Sequence, residues 1–437
     1  RDQFGGILTF PFRSTWVPEV EPVPIVFADR DQQCEILVEA ENPVSTNMLR
    51  INAYIRFTGL DKTIKKTLPA TGASNATFDV NDTLWGELYN QLSTTSFANY
   101  TFPADTNNLI KKHPEMLQEF FIDHSYTYVN ELGVVTESDV ITGTDAYIAM
   151  YGGASRALNS WIKNQSKTLY SYTCGADLPK FLSWMPEEMV IHPKQPVRLW
   201  FLNNNRFTSV NLKVKTYYTD GGEAITHTKQ TLASTIDLLE VCCGPEELDI
   251  YNDDISRTVL KYDVWLENDD ASLATEVKTF VVDTTFNPRN QLLFFRTSLG
   301  VYETVWCKGK ITENDEYDQS FNTRPLAPAS IYRGTLEAER ATIVKSFKIN
   351  TGFIRKEMRH WLSDFLTAGQ ALLPYKFFMI PVLIKTTKMD YGNDDDDLFA
   401  VPFEVRVAHT ETHFSQIPEI DSAWGEFNSD FNEDFNI

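Results

Sequence analysis

Apolar residues recur at every second position over much of this chain. Ile51, Ala53, Ile55 and Phe57 alternate with Asn52, Tyr54, Arg56 and Thr58, as in a strand with one face in a core and the other in water. Val210, Leu212 and Val214 repeat the pattern, and beyond the turn Thr219-Asp220-Gly221-Gly222 the segment Ala224–Leu232 returns, a hairpin signal. Further strands are predicted at Ile25–Phe27, Glu35–Glu39, Phe120–Val129, Ala146–Tyr151, Val197–Leu202, Val259–Glu267, Val277–Val282, Leu292–Arg296, Ala341–Ile349, Phe377–Lys385 and Val401–Phe414. Helices are few. Phe353–Ala368 puts Ile354, Met358, Trp361, Leu362, Phe365 and Leu366 on one stripe, with Asn350 or Thr351 to cap it and Gly369 to stop it. A shorter helix is predicted over Thr83–Leu92, with Leu84, Leu88 and Leu92 in line.

Many strands separated by turns and hardly any helices predict a mainly β protein built of tandem β-sandwich modules, immunoglobulin- or fibronectin-like, with a C-terminal α+β part carrying one amphipathic helix. A length of 437 residues accommodates several such modules. The expected division is 1–155, a sandwich with the short helix; 175–288, an immunoglobulin- or fibronectin-sized sandwich; 289–420, the α+β part; and 421–437, an acidic aromatic tail.

Charge narrows the choice of partners. The 39 Lys and Arg against 60 Asp and Glu leave a net charge of −21, which argues against general nucleic-acid binding. The excess is concentrated late: −5 for residues 1–230 and −16 for 231–437. From Met389 onward Arg406 stands against 13 carboxylates, just after a stretch that holds Arg324, Arg333, Arg340, Lys345, Lys348, Arg355, Lys356 and Arg359. An acidic tail and a basic segment can meet within one chain or between neighbours. Five cysteines without CxxC spacing suggest reduced, partly buried thiols. The longest apolar run, Phe377–Ile384, contains Pro381 and falls well short of the roughly 20 residues a membrane-spanning helix needs.

Catalytic signatures are missing from the sequence. There is no phosphate loop, no Gly-x-Ser-x-Gly elbow, no Gly-x-Gly-x-x-Gly and no His-Glu-x-x-His. His409, Glu411 and His413 would share one face of a strand and could ligate zinc or iron, although alternating polar residues also mark a wet strand face. The clusters Asp394–Asp397, Asn314–Asp318 and Asn252–Asp254 offer oxygen ligands for calcium but lack EF-hand spacing, and solvated loops are the expectation. The sequence therefore predicts no enzyme and no cofactor. The last residues repeat Phe-Asn every fourth position, so that Trp424, Phe427, Phe431 and Phe435 form either a frayed end or an arm for a neighbouring subunit's groove.

One segment is familiar. Gln291-Leu292-Leu293-Phe294-Phe295-Arg296-Thr297-Ser298-Leu299-Gly300-Val301-Tyr302-Glu303-Thr304, continuing to Lys308-Gly309-Lys310, resembles virion structural proteins of tailed phages that infect Bacteroidetes, including crAss-like phages. Pro22-Val23-Pro24, Ala76-Thr77-Phe78-Asp79-Val80 and Trp361-Leu362-Ser363-Asp364-Phe365-Leu366 fit the same pattern more loosely. The resemblance implies a virion protein of the neck, tail or baseplate, made in the bacterial host cytoplasm. Its implied partners are copies of itself in a homo-oligomeric ring and other virion proteins. It supplies no catalytic residues. The rival expectation is a secreted or cell-surface glycan-binding protein of β-sandwich modules.

Overall fold

Alternation becomes burial most plainly in Ser209–Tyr218, where every second residue from Val210 is buried. This strand pairs antiparallel with Ile225–Ala233 on one side and with Val259–Glu267 on the other, and the latter pairs with Lys278–Val282. Val210, Leu212, Val214, Tyr262, Val264, Leu266 and Phe280 are all buried, with the Tyr262 and Phe280 rings 5.3 Å apart. Removing each such side chain from water contributes about 1.5–3 kcal/mol.

The computed structural model describes residues 7–8, 25–28, 35–39, 48–60, 62–69, 75–94, 108–129, 132–144, 146–164, 180–285, 290–323, 336–375, 378–385 and 398–409. They form a mainly β fold with several sheets and a short helix toward the C-terminus. The chain divides into two compact units. The first comprises Arg1–Ser183, Pro196–Val282 and Thr297–Val301; the second comprises Trp184–Gln195, Asp283–Arg296 and Tyr302–Ile437.

In the first unit a larger sheet runs in the order Ile25–Ala28, Tyr147–Tyr151, Leu117–Val129, Met48–Phe57, Thr63–Pro69, with Val135–Glu137 also paired to Leu117–Val129. Helix Asn81–Thr94 covers one face. Its Leu84 and Leu88 pack with Ile51, Ile55, Phe57 and Phe120, which is why the alternation in Met48–Phe57 carries apolar residues on that side only. Ile110–Lys112, Ile236–Cys242 and Arg198–Asn204 make a three-stranded sheet whose middle member is Ile236–Cys242. Arg198–Asn204 is buried along its whole length.

In the second unit a seven-stranded sheet runs in the order Tyr302–Cys307, Gln291–Arg296, Ala371–Tyr375, Phe378–Lys385, Pro402–Val407, Leu336–Asn350, Thr312–Thr323. Helix Arg359–Leu366 lays Trp361, Leu362 and Phe365 onto it. The Phe365 ring meets Phe295 at 5.1 Å and Phe403 at 5.2 Å, both edge to face, a geometry that aromatic quadrupoles favour.

Three expectations are corrected. The long helix does not start at Phe353: Ile354–Arg355 is a strand paired with Leu398–Phe399, a 3-10 turn follows, and the α-helix begins at Arg359. Pairing with another segment overrides the apolar stripe there. The strand predicted over Val401–Phe414 ends at Val407. The acidic segment Asn314–Asp318, expected as a loop, lies inside the twelve-residue strand Thr312–Thr323. That strand is exposed at nearly every position, so no apolar alternation marks it.

Candidate functional site

Two features stand out chemically, an open sheet edge in each unit and a buried charge network in the first. Thr312–Thr323 is the last strand of its sheet and pairs only with Leu336–Asn350 among the described residues. Pro402–Val407 supports that partner strand only along Ser346–Asn350. Toward Leu336 the described structure is therefore a two-stranded ribbon, which is marginal in water without further cover. Glu313, Asp315, Glu316 and Asp318 lie along the edge strand, with no Lys or Arg in it. Lys345 from the partner strand pairs with Glu313 and reaches Asp315 at 3.8 Å. Tyr317 and Phe321 on the same strand are exposed.

The contrasting edge is Thr63–Pro69, the last strand of the first unit's larger sheet, paired only with Met48–Phe57 among the described residues. It carries Lys65 and Lys66, preceded by Lys62. Lys62 pairs with Glu87, and Lys65 donates to Glu137 at 3.1 Å. Glu137 Oε1 also accepts from Ser125 Oγ at 2.8 Å, Tyr54 Oη at 2.9 Å and Asn52 Nδ2 at 2.8 Å. Hydrogen bonds from Ser125, Tyr54 and Lys65, in that order, hold the Glu137 carboxyl down at about 2, so it stays ionised and fixes Lys65 beside the edge.

The charge network follows from the register of two buried strands. Arg198 stands opposite Cys242 and Trp200 opposite Glu240, which makes Arg198 and Glu240 diagonal neighbours on one face. Arg198 Nε reaches Glu240 Oε1 at 2.8 Å, while its terminal nitrogens hold both oxygens of Glu247 at 2.5 Å, a bidentate pairing. The Gly244 N–H adds a bond to Glu247 Oε2 at 3.0 Å. His113 extends the chain outward, with Nε2 2.8 Å from Glu240, Nδ1 2.8 Å from Glu115 and its ring 4.9 Å from that of Trp200. Every charge in the network faces an opposite one, as burial demands. Cys242 and Cys243 beside it are free and buried; burial pushes the Cys242 thiol up to about 12 and raises Cys243 as well, so neither is a nucleophile at neutral pH.

Burial opposes the imidazolium of His113, but the hydrogen bond and charge of Glu240, aided by Glu115, outweigh it and raise its pKa. Folding thus favours protonation. The stabilisation is fully present below the unfolded value of about 6.5 and is lost as pH rises through the higher folded value. The melting temperatures of the unmodified chain and of His113→Gln are expected to converge as pH rises above the unfolded value of about 6.5; a gap that stays constant with pH would show that His113 acts only through packing.

The sequence-predicted site residues are placed differently. His409 lies exposed in a bend after Pro402–Val407 rather than on a strand. Glu411, His413, Trp424, Phe427, Phe431 and Phe435 lie outside the described residues, as does Asp394–Asp397. Among the described residues no group of three His, Cys, Asp or Glu is arranged to hold a metal ion, and no helix is long and apolar enough to cross a membrane. Sequence reading missed the Arg198 network. Its signal was a lone Arg in Val197-Arg198-Leu199-Trp200-Phe201-Leu202 and a lone Glu in Leu238-Leu239-Glu240-Val241-Cys242. Opposite charges, each alone in an apolar run, point to a buried pair. No known protein family matches the chain, and a search of curated proteins finds no match.

Proposed function

We propose that this chain is a non-enzymatic structural protein of a phage virion, in the neck, tail or baseplate, which assembles with copies of itself into a ring or tube. The observation that supports this reading best is the open ribbon at Thr312–Thr323, a long, solvent-facing strand with exposed aromatics that gains cover by contact with another subunit. The sequence resemblance at Gln291–Lys310 points to the same role. In this reading the sheets belong to immunoglobulin- or fibronectin-like sandwich modules, repeated units suited to building rings. The protein is made in the host cytoplasm and carried in the particle with other virion proteins.

Gold-labelled antibody against the chain should decorate purified phage particles at the neck, tail or baseplate. Unlabelled particles, together with saturable binding of the free protein to a glycan array, would replace this reading with a glycan-binding one. The segment 421–437, with Trp424, Phe427, Phe431 and Phe435, acts here as an arm on a neighbouring subunit. Its deletion should lower the oligomer mass measured by light scattering, and an unchanged mass would remove the arm from the account.

A further inference from the structure

Resting on the assembly reading above, we infer that the acidic edge Thr312–Thr323 of one copy pairs with the basic edge Thr63–Pro69 of a second copy. Each strand is the end of its sheet among the described residues and therefore presents backbone N–H and C=O groups to an incoming strand. Their charges select the partner. Two acidic edges side by side would set Glu313, Asp315, Glu316 and Asp318 against the same four residues, with Lys345 the cation that reaches Glu313 and Asp315. Two basic edges would oppose Lys65 and Lys66 to themselves. Like charges directly opposite one another destabilise a strand pair, and unlike charges stabilise it. The self-pairings are thus disfavoured, and the mixed pairing brings Glu316 and Asp318 to a lysine-bearing strand.

Because the two surfaces differ, the contact is head to tail. Repeated from copy to copy, such a contact closes into a ring if the rotation permits and continues as a tube or filament if it does not. It also leaves an open assembly with one unused edge at each end, acidic at one end and basic at the other. This explains how an exposed edge can be kept from non-specific pairing by its charges and still be used by one particular partner.

The test uses two full-length variants. In one, Glu316→Lys and Asp318→Lys reverse the acidic edge; in the other, Lys65→Glu and Lys66→Glu reverse the basic edge. Each variant alone is expected to be monomeric by light scattering. Mixed in equal amounts they should regain oligomers of alternating copies, because one variant then carries two basic edges and the other two acidic ones. The unmodified chain offers an independent check that needs no substitution: raising salt from about 0.05 to about 0.5 M should shrink its oligomers by screening the contact. Oligomers that resist both reversals and salt would overturn this contact while leaving the assembly reading in place. A chain that is monomeric without any substitution would overturn both.

Discussion

Replacing Arg198 with Met is expected to destabilise the first unit by about 3–5 kcal/mol, because the substitution removes the cation shared by two carboxylates in a protein interior. Arg198 is fully buried, Glu240 and Glu247 are nearly so, and the guanidinium supplies three of the contacts that satisfy them. Glu240 keeps His113. Glu247 keeps the Gly244 amide but loses its counter-ion. The destabilisation should be read from the denaturant midpoint with the slope unchanged. If lost charge compensation is the cause, the triple substitution Arg198→Met, Glu240→Leu, Glu247→Leu should be more stable than Arg198→Met alone, since apolar residues of similar volume often replace a buried ion network at little cost. A triple variant less stable than the single one would show instead that the network contributes through specific geometry.

The second large effect is expected at Gly300. Within the first unit, the turn Thr297–Val301 is closed by Thr297 N–H to Val301 O at 2.8 Å and Gly300 N–H to Thr297 O at 2.9 Å, and it is held to the preceding chain by Gly153 N–H donating to Ser298 O at 2.7 Å. Gly300 has φ +87°, and a Cβ placed on it would lie 1.7 Å from the backbone oxygen of Tyr151. Gly152 faces it with φ +135° and would bring a Cβ to 2.5 Å from the carbonyl carbon of Leu299. Two backbones approach where neither can carry a side chain. Gly300→Ala therefore combines about 1–2 kcal/mol of left-handed strain with displacement of a packed loop, for a total of about 3 kcal/mol or more. Gly221→Ala is the control. Gly221 also has a positive φ, +69°, but meets nothing within 4 Å, so its cost should stay near the conformational term alone, about 1–2 kcal/mol. Equal losses at the two sites would mean that the close approach to Tyr151 has no weight.

The sequence Ser298-Leu299-Gly300 already indicated a tight turn. It did not indicate that Tyr151–Gly153 lies against that turn, since a contact between segments so far apart leaves no local pattern. The same division runs through the fold. Ser209–Tyr218 was readable because one face is buried, so its residues alternate, and its returning strand was readable from the turn Thr219–Gly222 between them. Thr312–Thr323 was not, because neither of its faces carries an apolar row, and its acidic residues look like a solvated loop. The helix start was misplaced because Phe353–Met358 has helical spacing while Ile354–Arg355 is drawn into pairing with Leu398–Phe399. Of the candidate site, the acidic cluster Asn314–Asp318 was visible in the sequence, as an expected loop, while Lys65 and Lys66 did not stand out. That these residues lie on two strand edges was not visible, because edge position is a property of sheet order.

Assembly is the claim on which the functional account rests, and electron microscopy of the purified full-length chain at low salt tests it most directly. The account predicts rings or short tubes whose class averages show rotational symmetry, with adjacent copies related head to tail. A uniform population of single, asymmetric particles would contradict it.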